Sequence, residues 1–220
     1  MKDAPTNSSE THPARVPETD SPVVLKRAAE QCTACPLYRN ATQVVFGEGP
    51  RHPRLVLVGE QPGDQEDLSG HPFVGPAGRI LAQALEESGI DRRAAYVTNA
   101  VKHFKWEAHG KRRLHKKPGA REIAACRPWL EAELRILQPR VIVCLGATAV
   151  LSILGSEVRV LRDRGKVIPS RYNMPALVTV HPSSLLRAPD DKARHRAYAD
   201  FTRDLRLAAD LIKGLDRDQA

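Results

Sequence analysis

Several absences narrow the class of protein to which this sequence belongs. No apolar run approaches the roughly 20 residues that a membrane-spanning helix requires. The N-terminus has no apolar segment of the kind found in secretory signal peptides. We therefore expect a cytoplasmic protein with no membrane partner. The sequence also has no internal repeat, so a repeat architecture is not expected.

Cysteine is scarce, with four residues in a chain of 220. Without a secretory signal, so few cysteines favour a metal site or reactive thiols over disulfides. Cys32 and Cys35 form a Cys-x-x-Cys pair, which alone fits redox chemistry or zinc. Cys144 alone, inside an apolar run, is typical of a core residue. Together with Cys126 they make a complete four-thiolate set, and the lack of a second tight pair favours an iron–sulfur cluster over zinc.

Large apolar side chains are nearly absent from residues 1–21, which are rich in Pro, Ser, Thr and charge. Such a composition buries too little apolar surface to fold, so we predict a disordered tail. The remainder, 22–215, is predicted to be one domain, and we expect a monomer. The formal net charge of +8 favours a polyanionic partner.

Apolar runs alternate with amphipathic stretches, which indicates an α/β fold of three layers. Residues 55–58 are an unbroken apolar run that leads into Gly and Pro, as in a buried strand of a parallel sheet. Further strands are predicted at 94–101, 140–145 and 176–180, with a hairpin region before 175. Helices are predicted at 22–31, 77–88, 120–137, 147–154 and 190–213. Pro128 should kink or split the helix that contains it, and 102–118 is predicted to be a basic loop.

Polar side chains lie at the ends of three predicted strands. Glu60, Asn99 and His181 should meet at one edge of the sheet, since ligands bind outside the carboxyl ends of parallel strands. A carboxylate, a carboxamide and an imidazole serve acid–base work, hydrogen bonding to a base edge and stabilisation of an anionic oxygen. Phe73 offers a flat surface for stacking. Each residue alone is as typical of a surface turn.

Several motifs in order resemble family 4 uracil-DNA glycosylase over about residues 25–212. They are GEQPG (59–63) with a downstream ED, PFVGPAG (72–78), TNAVK (98–102), EIAACRP (122–128) and HPSS (181–184), together with the four cysteines. The resemblance implies a central four-stranded parallel sheet flanked by helices, a [4Fe-4S] cluster and excision of uracil from DNA. The expected partner is uracil-containing DNA, with single strands accepted.

The same resemblance implies a role for individual residues. The cluster ligands would be Cys32, Cys35, Cys126 and Cys144. Phe73 would stack on the flipped uracil, Asn99 would read its polar edge, and His181 would bond uracil O2 and stabilise the leaving anion. The Glu60–Gln61 loop would lie beside the sugar, and Gln61 and Asp64 are counted with the uracil-binding residues.

One segment departs from typical family 4 members. Gln61 and the stretch KRRLH (111–115) resemble the UdgX branch, in which the histidine of this motif attacks the sugar in place of water. The resemblance implies a covalent adduct between His115 and C1′ of deoxyribose, and therefore a single-turnover enzyme. Glu60 would accept the His115 proton or hold its ring. Two nearby residues, His103 and His109, are alternatives with a poorer match.

The DNA backbone is expected to contact basic and hydroxyl side chains near these motifs. The expected phosphate ligands are Lys111, Arg112, Arg113, Ser183 and Ser184, with Lys116 and Lys117 in support. Leu185 or Leu186 would enter the gap left by a flipped base, or else anchor the last helix. Two other functions remain open: a conventional turnover glycosylase that uses water, and a non-catalytic iron–sulfur module that binds DNA.

Overall fold

The computed structural model describes residues 11–217, and a five-stranded sheet lies at its centre. The sheet strands are β1 (Leu55–Gly59), β2 (Ala95–Asn99), β5 (Val141–Leu145), β6 (Val167–Pro169) and β7 (Pro175–Thr179), and a separate hairpin is formed by β3 (Trp106–His109) and β4 (Arg112–His115). The strand order is β2-β1-β5-β7-β6, with the first four parallel and β6 antiparallel at the edge. The predicted four parallel strands are confirmed. The hairpin predicted before 175 instead includes the fourth of these strands, because β6 pairs antiparallel with β7.

Helices cover both faces of the sheet. They are α1 (Pro22–Ala29), α2 (Asp64–Ser69), α3 (Pro76–Glu87), α4 (Ala120–Leu137), α5 (Ala147–Leu154), α6 (Val160–Asp163) and α7 (Asp191–Arg217). Leu55 and Leu57 of β1 pack in the core beneath α3 and α7, whereas Val56 and Val58 pack on the opposite face beneath α4 and α5. The three-layer α/β fold is therefore confirmed. No helix in the described part of the chain has the length and apolar character of a membrane span.

Two segments predicted as loops have regular structure. The acidic stretch after β1 is the short helix α2, and the basic insertion is the β3–β4 hairpin, which turns at Gly110 with a φ of 59°. Only glycine adopts that backbone region at low cost, so the position of the turn is set locally. The hairpin pairs Trp106 with His115 at its base and His109 with Arg112 at its tip.

Helix α4 is continuous through Pro128, so of the predicted kink or split, the split does not occur. A proline removes one helical hydrogen bond and crowds the preceding turn. Here both neighbouring turns are held by packing, with Ile123 and Trp129 buried. The carbonyl that loses its helical donor is that of Ala124, four residues before Pro128. The packing of the neighbouring turns therefore keeps the helix continuous.

Residues 11–21 run along the domain without helix or strand, and this part of the predicted tail has ordered contacts. Ala14 is buried beside Cys35 and Cys126. The amide of His12 donates to the carbonyl of Ala34 at 3.0 Å. Residues 1–10 of the predicted tail lie outside the described residues.

A buried ion pair connects β2 with α4. The ammonium of Lys102 bonds the carboxylate of Glu133, and both side chains are 1% exposed. The same ammonium donates to Thr98 Oγ1 at 2.6 Å and to the Asn99 carbonyl at 2.8 Å. Glu133 also accepts from the hydroxyl of Tyr96 at 2.8 Å. Every strong donor and acceptor in this network therefore has a partner, as burial of charge demands.

We predict that Lys102→Met lowers the free energy of unfolding by about 3–5 kcal/mol, because Glu133 would remain buried without its counter-charge. Urea denaturation measures the change. Lys105→Met is the matched control: Lys105 pairs with Glu122 at 2.8 Å but is 32% exposed, so its loss should cost about 0–1 kcal/mol. Equal losses in the two variants would contradict a special role for the buried pair.

Candidate active site

The side chains predicted at the strand ends lie at one edge of the sheet. Gly59 pairs with Asn99 at the carboxyl ends of β1 and β2, and His181 follows β7 at the same edge. A cavity of about 540 Å³ opens there. Its lining includes Gln61, Asp64, Phe73, Asn99, His115 and His181. All five residues that the resemblance assigns to uracil thus border one cavity.

Asn99 brings an unpaired polar group to this cavity. Its side chain belongs to a residue that is 2% exposed, and Oδ1 has no hydrogen-bond partner within residues 11–217. A buried amide without a partner costs free energy, so this atom is suited to a polar ligand. Gly59 leaves the space for it, since a Cβ there would stand 2.3 Å from Asn99 Oδ1 and 2.6 Å from Phe73 Cζ.

Phe73 and His181 line the cavity as two roughly parallel rings. Their centroids are 6.1 Å apart and their planes differ by 30°. Phe73 has a φ of 59°, which is unusual for a bulky residue. Gly78 permits this geometry, because a Cβ at that position would lie 1.7 Å from the Phe73 carbonyl oxygen. The strained backbone is held by its surroundings, as is frequent at functional sites.

His181 is held as a neutral ring with a defined tautomer. The amide of Ser183 donates to His181 Nδ1 at 3.2 Å, and the Ser183 hydroxyl lies 2.8 Å from the same nitrogen. An amide can only donate, so Nδ1 is the acceptor and Nε2 carries the proton. Burial lowers the pKa of His181 to about 4, with His115 and Arg187 acting in the same direction. The ring is therefore a neutral donor at pH 7.

Glu60 lies between a buried hydroxyl and an imidazole. Thr148 Oγ1 donates to Glu60 Oε2 at 2.5 Å. The other carboxylate oxygen, Oε1, is 3.6 Å from His115 Nε2. This second distance is too long for a hydrogen bond but close enough for electrostatic attraction. One oxygen of the carboxylate is thus held by Thr148, and the other faces the imidazole of His115.

His115 lies between two cavities. A second cavity of about 470 Å³ also borders His115, His181 and Arg187 and adds Glu60, Lys117 and Leu161. Burial lowers the pKa of His115 below its ordinary value, Glu60 opposes the shift, and Arg187 reinforces it. The imidazole is consequently neutral at pH 7 and keeps a lone pair. His109 lies at the tip of the hairpin and His103 is buried, and neither borders the first cavity.

Gln61 fastens both ends of the hairpin that carries His115. Its Nε2 donates to the carbonyls of Lys105 at 3.2 Å and Lys116 at 3.0 Å, and its Oε1 accepts from Lys105 N at 3.2 Å. The predicted contact of Gln61 with uracil therefore competes with three bonds to the backbone. Its evident role is to hold the hairpin.

Arg113 is occupied by carboxylates, although it is predicted to bind phosphate. It donates to Asp64 Oδ1 and to Asp67 Oδ2, both at 2.6 Å, and its guanidinium lies over the rings of Phe104 and Trp106 at 5.5 Å. Asp64 is thereby drawn into a surface ion pair, although it borders the cavity. Arg113 fixes the middle of the hairpin to α2.

The other predicted phosphate ligands differ in availability. Lys111 and Arg112 are exposed at the tip of the hairpin. Ser183 and Ser184 bond their own loop, since Ser184 Oγ donates to the His181 carbonyl at 2.8 Å. In the same loop Leu185 is 2% exposed and belongs to the core, whereas Leu186 is 48% exposed and borders the first cavity. Of the two leucines, only Leu186 can enter DNA.

Three of the four cysteines lie in one cluster, formed where α1, the Cys-x-x-Cys segment and α4 meet. Cys32, Cys35 and Cys126 belong to this cluster. Trp129 Nε1 donates to Cys32 Sγ, and Lys102 N donates to Cys126 Sγ, each at 3.2 Å. Hydrogen bonds to sulfur stabilise anionic thiolates, so the donor set suits an iron–sulfur cluster.

Cys144 is not brought to the other three. It lies in β5 between Val58 and Val178, fully buried in the core cluster between the sheet and α4. Cys126 lies on the face of α4 that packs toward α1. The two thiols therefore belong to different core clusters. Within residues 11–217, no three His, Cys, Asp or Glu side chains are close enough to ligate a single metal ion.

The sequence did not reveal two of the residues that organise this edge of the sheet. Thr148, which bonds Glu60, lies 88 positions away along the chain. Lys102 was predicted only as part of a motif, yet its amide contacts Cys126 and its ammonium contacts the Asn99 carbonyl. The position of Lys102 just after an apolar strand was a signal in the sequence that could have revealed its role. No local sequence pattern marked Thr148.

Comparison with known proteins identifies the family. The model of the uracil DNA glycosylase superfamily matches residues 46–206, most of the chain. The chain belongs to the uracil-DNA glycosylase superfamily. A type-4 uracil-DNA glycosylase of Thermotoga maritima is 40% identical over 179 residues, which cover 81% of this chain and 90% of that protein. A type-4 enzyme of Pyrobaculum aerophilum is 34% identical over 200 residues, covering 88% and 94%. The matched range 46–206 of this superfamily member contains all the cavity residues named above.

We predict that Gly59→Ala disturbs the cavity, because the new Cβ collides with Asn99 and Phe73. Crowding of this kind costs about 1–3 kcal/mol of unfolding free energy. Gly214→Ala is the control: nothing lies within 4 Å of a Cβ there, and the position is helical, so it should stabilise by about 0.5–1 kcal/mol. Thermal unfolding measures both changes, and a crystal structure of the first variant locates Phe73. An unshifted Phe73 with unchanged stability would contradict the close approach.

Proposed function

We propose that this protein excises uracil from DNA. The family and the relatives named as uracil-DNA glycosylases support the proposal. The observation that carries it is the buried, unpartnered Asn99 Oδ1 beside the rings of Phe73 and His181. A glycosylase takes a base out of the stack and reads its edge by hydrogen bonds between flat surfaces. Uracil offers an N3–H to the amide oxygen and carbonyls to an N–H donor.

The reaction breaks the bond between C1′ and N1, and the electron pair leaves with uracil. The leaving group is an anion, and the neutral His181 with its proton on Nε2 is suited to bond its O2. The sugar becomes oxocarbenium-like, and the Glu60 carboxylate at this edge of the sheet stabilises that positive charge. The substrate is uracil-containing DNA, single strands included, and the acting species is the monomer.

We further propose that His115 captures the sugar, as in the UdgX branch. A lone pair of the neutral imidazole forms a bond with C1′ as uracil departs. The imidazolium then loses its remaining N–H proton to Glu60, whose Oε1 lies 3.6 Å from Nε2. An alkylated imidazole is a poor leaving group, so the adduct persists and the enzyme turns over once. Support comes from the position of His115 between two cavities and from its lowered pKa.

A denaturing gel tests both parts of this proposal. Labelled single-stranded DNA with one uracil is incubated with the protein and boiled in SDS. We expect a shifted band that is absent with thymine DNA and absent with His115→Ser. The control His109→Ser, at the tip of the same hairpin, should cross-link as the wild type does. Strand breaks after alkali without a shifted band would indicate a conventional turnover enzyme that uses water. Neither signal would indicate a non-catalytic DNA-binding module.

We propose a [4Fe-4S] cluster as the cofactor, held by Cys32, Cys35 and Cys126 and a fourth side chain. When bound, it would cross-link the N-terminal segment to α4. The predicted fourth ligand, Cys144, belongs to a different core cluster from these three cysteines. His103 is the second candidate, because it is buried and directly follows Lys102, whose amide contacts Cys126. Histidine replaces cysteine in some iron–sulfur centres.

Iron content and visible absorbance of purified variants test the ligand set. We expect Cys126→Ala to lose most of its iron, since it removes a ligand of the assembled group. Cys144→Ala should keep its iron, because that thiol fills the core, and His103→Ala should lose iron if it supplies the fourth ligand. Loss of iron in Cys144→Ala with retention of iron in His103→Ala would instead support the predicted set of four cysteine ligands. Full retention in Cys126→Ala would refute the proposed site.

A further inference from the structure

The two oxygens of the Glu60 carboxylate have different neighbours among residues 11–217. Oε2 accepts the Thr148 hydroxyl at 2.5 Å, while Oε1 faces His115 Nε2 at 3.6 Å. Glu60 is partly exposed, with 21% of its side chain accessible, whereas Thr148 is 1% exposed. A partly exposed carboxylate at the rim of a cavity is therefore held by a buried hydroxyl in the interior.

Thr148 itself has little freedom. It lies in the first turn of α5, immediately after Gly146-Ala147, and the helix packs against the sheet through Ala149 and Val150. The backbone carbonyl of Thr148 accepts from Ser152 Oγ at 2.9 Å. A β-branched side chain in a helix has few rotamers. The position of the hydroxyl is thus set by the fold and not by the ligand.

The direction of the hydrogen bond gives Thr148 its effect. A carboxylate only accepts, so the hydroxyl must donate to Oε2. A bond to a charged acceptor is short and strong, and it stops rotation of the carboxylate about its terminal torsion. Oε1 is then the oxygen that can attract the imidazole ring and receive its proton.

We propose that Thr148 is a positioning residue that commits Glu60 to His115 and thereby favours capture of the sugar by imidazole over capture by water. The inference rests on the proposed function. Without the hydroxyl, Glu60 would rotate, and its two oxygens would be free to bind water at the cavity rim. The partition between a covalent adduct and a free abasic site is the property that Thr148 controls.

The test compares Thr148→Val, which is nearly isosteric and lacks the hydroxyl, with Thr148→Ser, which keeps it. Single-turnover reactions on single-stranded uracil DNA measure three quantities: uracil released, shifted band and alkali-labile sites. For Thr148→Val we expect the ratio of adduct to abasic site to fall roughly ten- to a hundredfold, the loss of one hydrogen bond to a charged group. Thr148→Ser should restore most of the wild-type ratio.

A purely structural role would give a different result. Damage to folding would lower uracil release and adduct formation together and leave their ratio unchanged, and that outcome would overturn the inference. Thermal unfolding of the two variants measures folding independently. A crystal structure of Thr148→Val should show Glu60 in another rotamer, and an unmoved carboxylate would also overturn it.

The amount of adduct that the wild-type protein forms distinguishes failure of this inference from failure of the proposed function. If the wild type forms no adduct, the proposed role of His115 fails. If the wild type forms an adduct and Thr148→Val forms the same fraction, only the role of Thr148 fails.

Discussion

The buried pair of Lys102 and Glu133 is the constraint on which the cavity depends. Its ammonium holds the carbonyl of Asn99, and the amide of the same lysine contacts the sulfur of Cys126. A charge in an apolar core needs all of its partners at once, so the network tolerates little displacement. The last residue of β2 is therefore fixed from behind by α4. This arrangement places the side chain of Asn99 at the cavity, where Oδ1 has no hydrogen-bond partner within residues 11–217.

The acidic stretch after β1 divides into one carboxylate that faces the site, Glu60, and three that hold the surrounding loops. Asp64 and Asp67 hold Arg113 of the hairpin, and Glu66 accepts the amides on both sides of the cavity loops, Gly63 at 3.1 Å and Gly75 at 3.0 Å. Glu60 alone keeps an oxygen near an imidazole. A run of like charges is thus tolerated because every member has a hydrogen-bond partner, with Asp64 and Asp67 sharing Arg113.

The layers of the fold and the meeting of Glu60, Asn99 and His181 were predictable, because parallel strands align their ends whatever the intervening chain does. The roles of Gln61 and Arg113 were not, since their partners lie 44 to 55 residues away and only the folded hairpin brings them close. Cys144 shows the same limit. The positions of the cysteines in the sequence show that four thiols exist, but they do not show which of them the fold brings together.

The hydrogen bonds from Gln61 to both ends of the hairpin have a consequence for protein engineering. The excursion from Lys105 to Lys116 begins and ends within reach of one side chain, and both strands of the hairpin pair only with each other. In the part of the chain that the structure describes, the central sheet therefore makes no strand pairing with the hairpin. The hairpin is therefore a candidate for transfer between proteins of this family. A recipient that has the equivalents of Gln61, Asp64 and Asp67 already has the side chains that hold it.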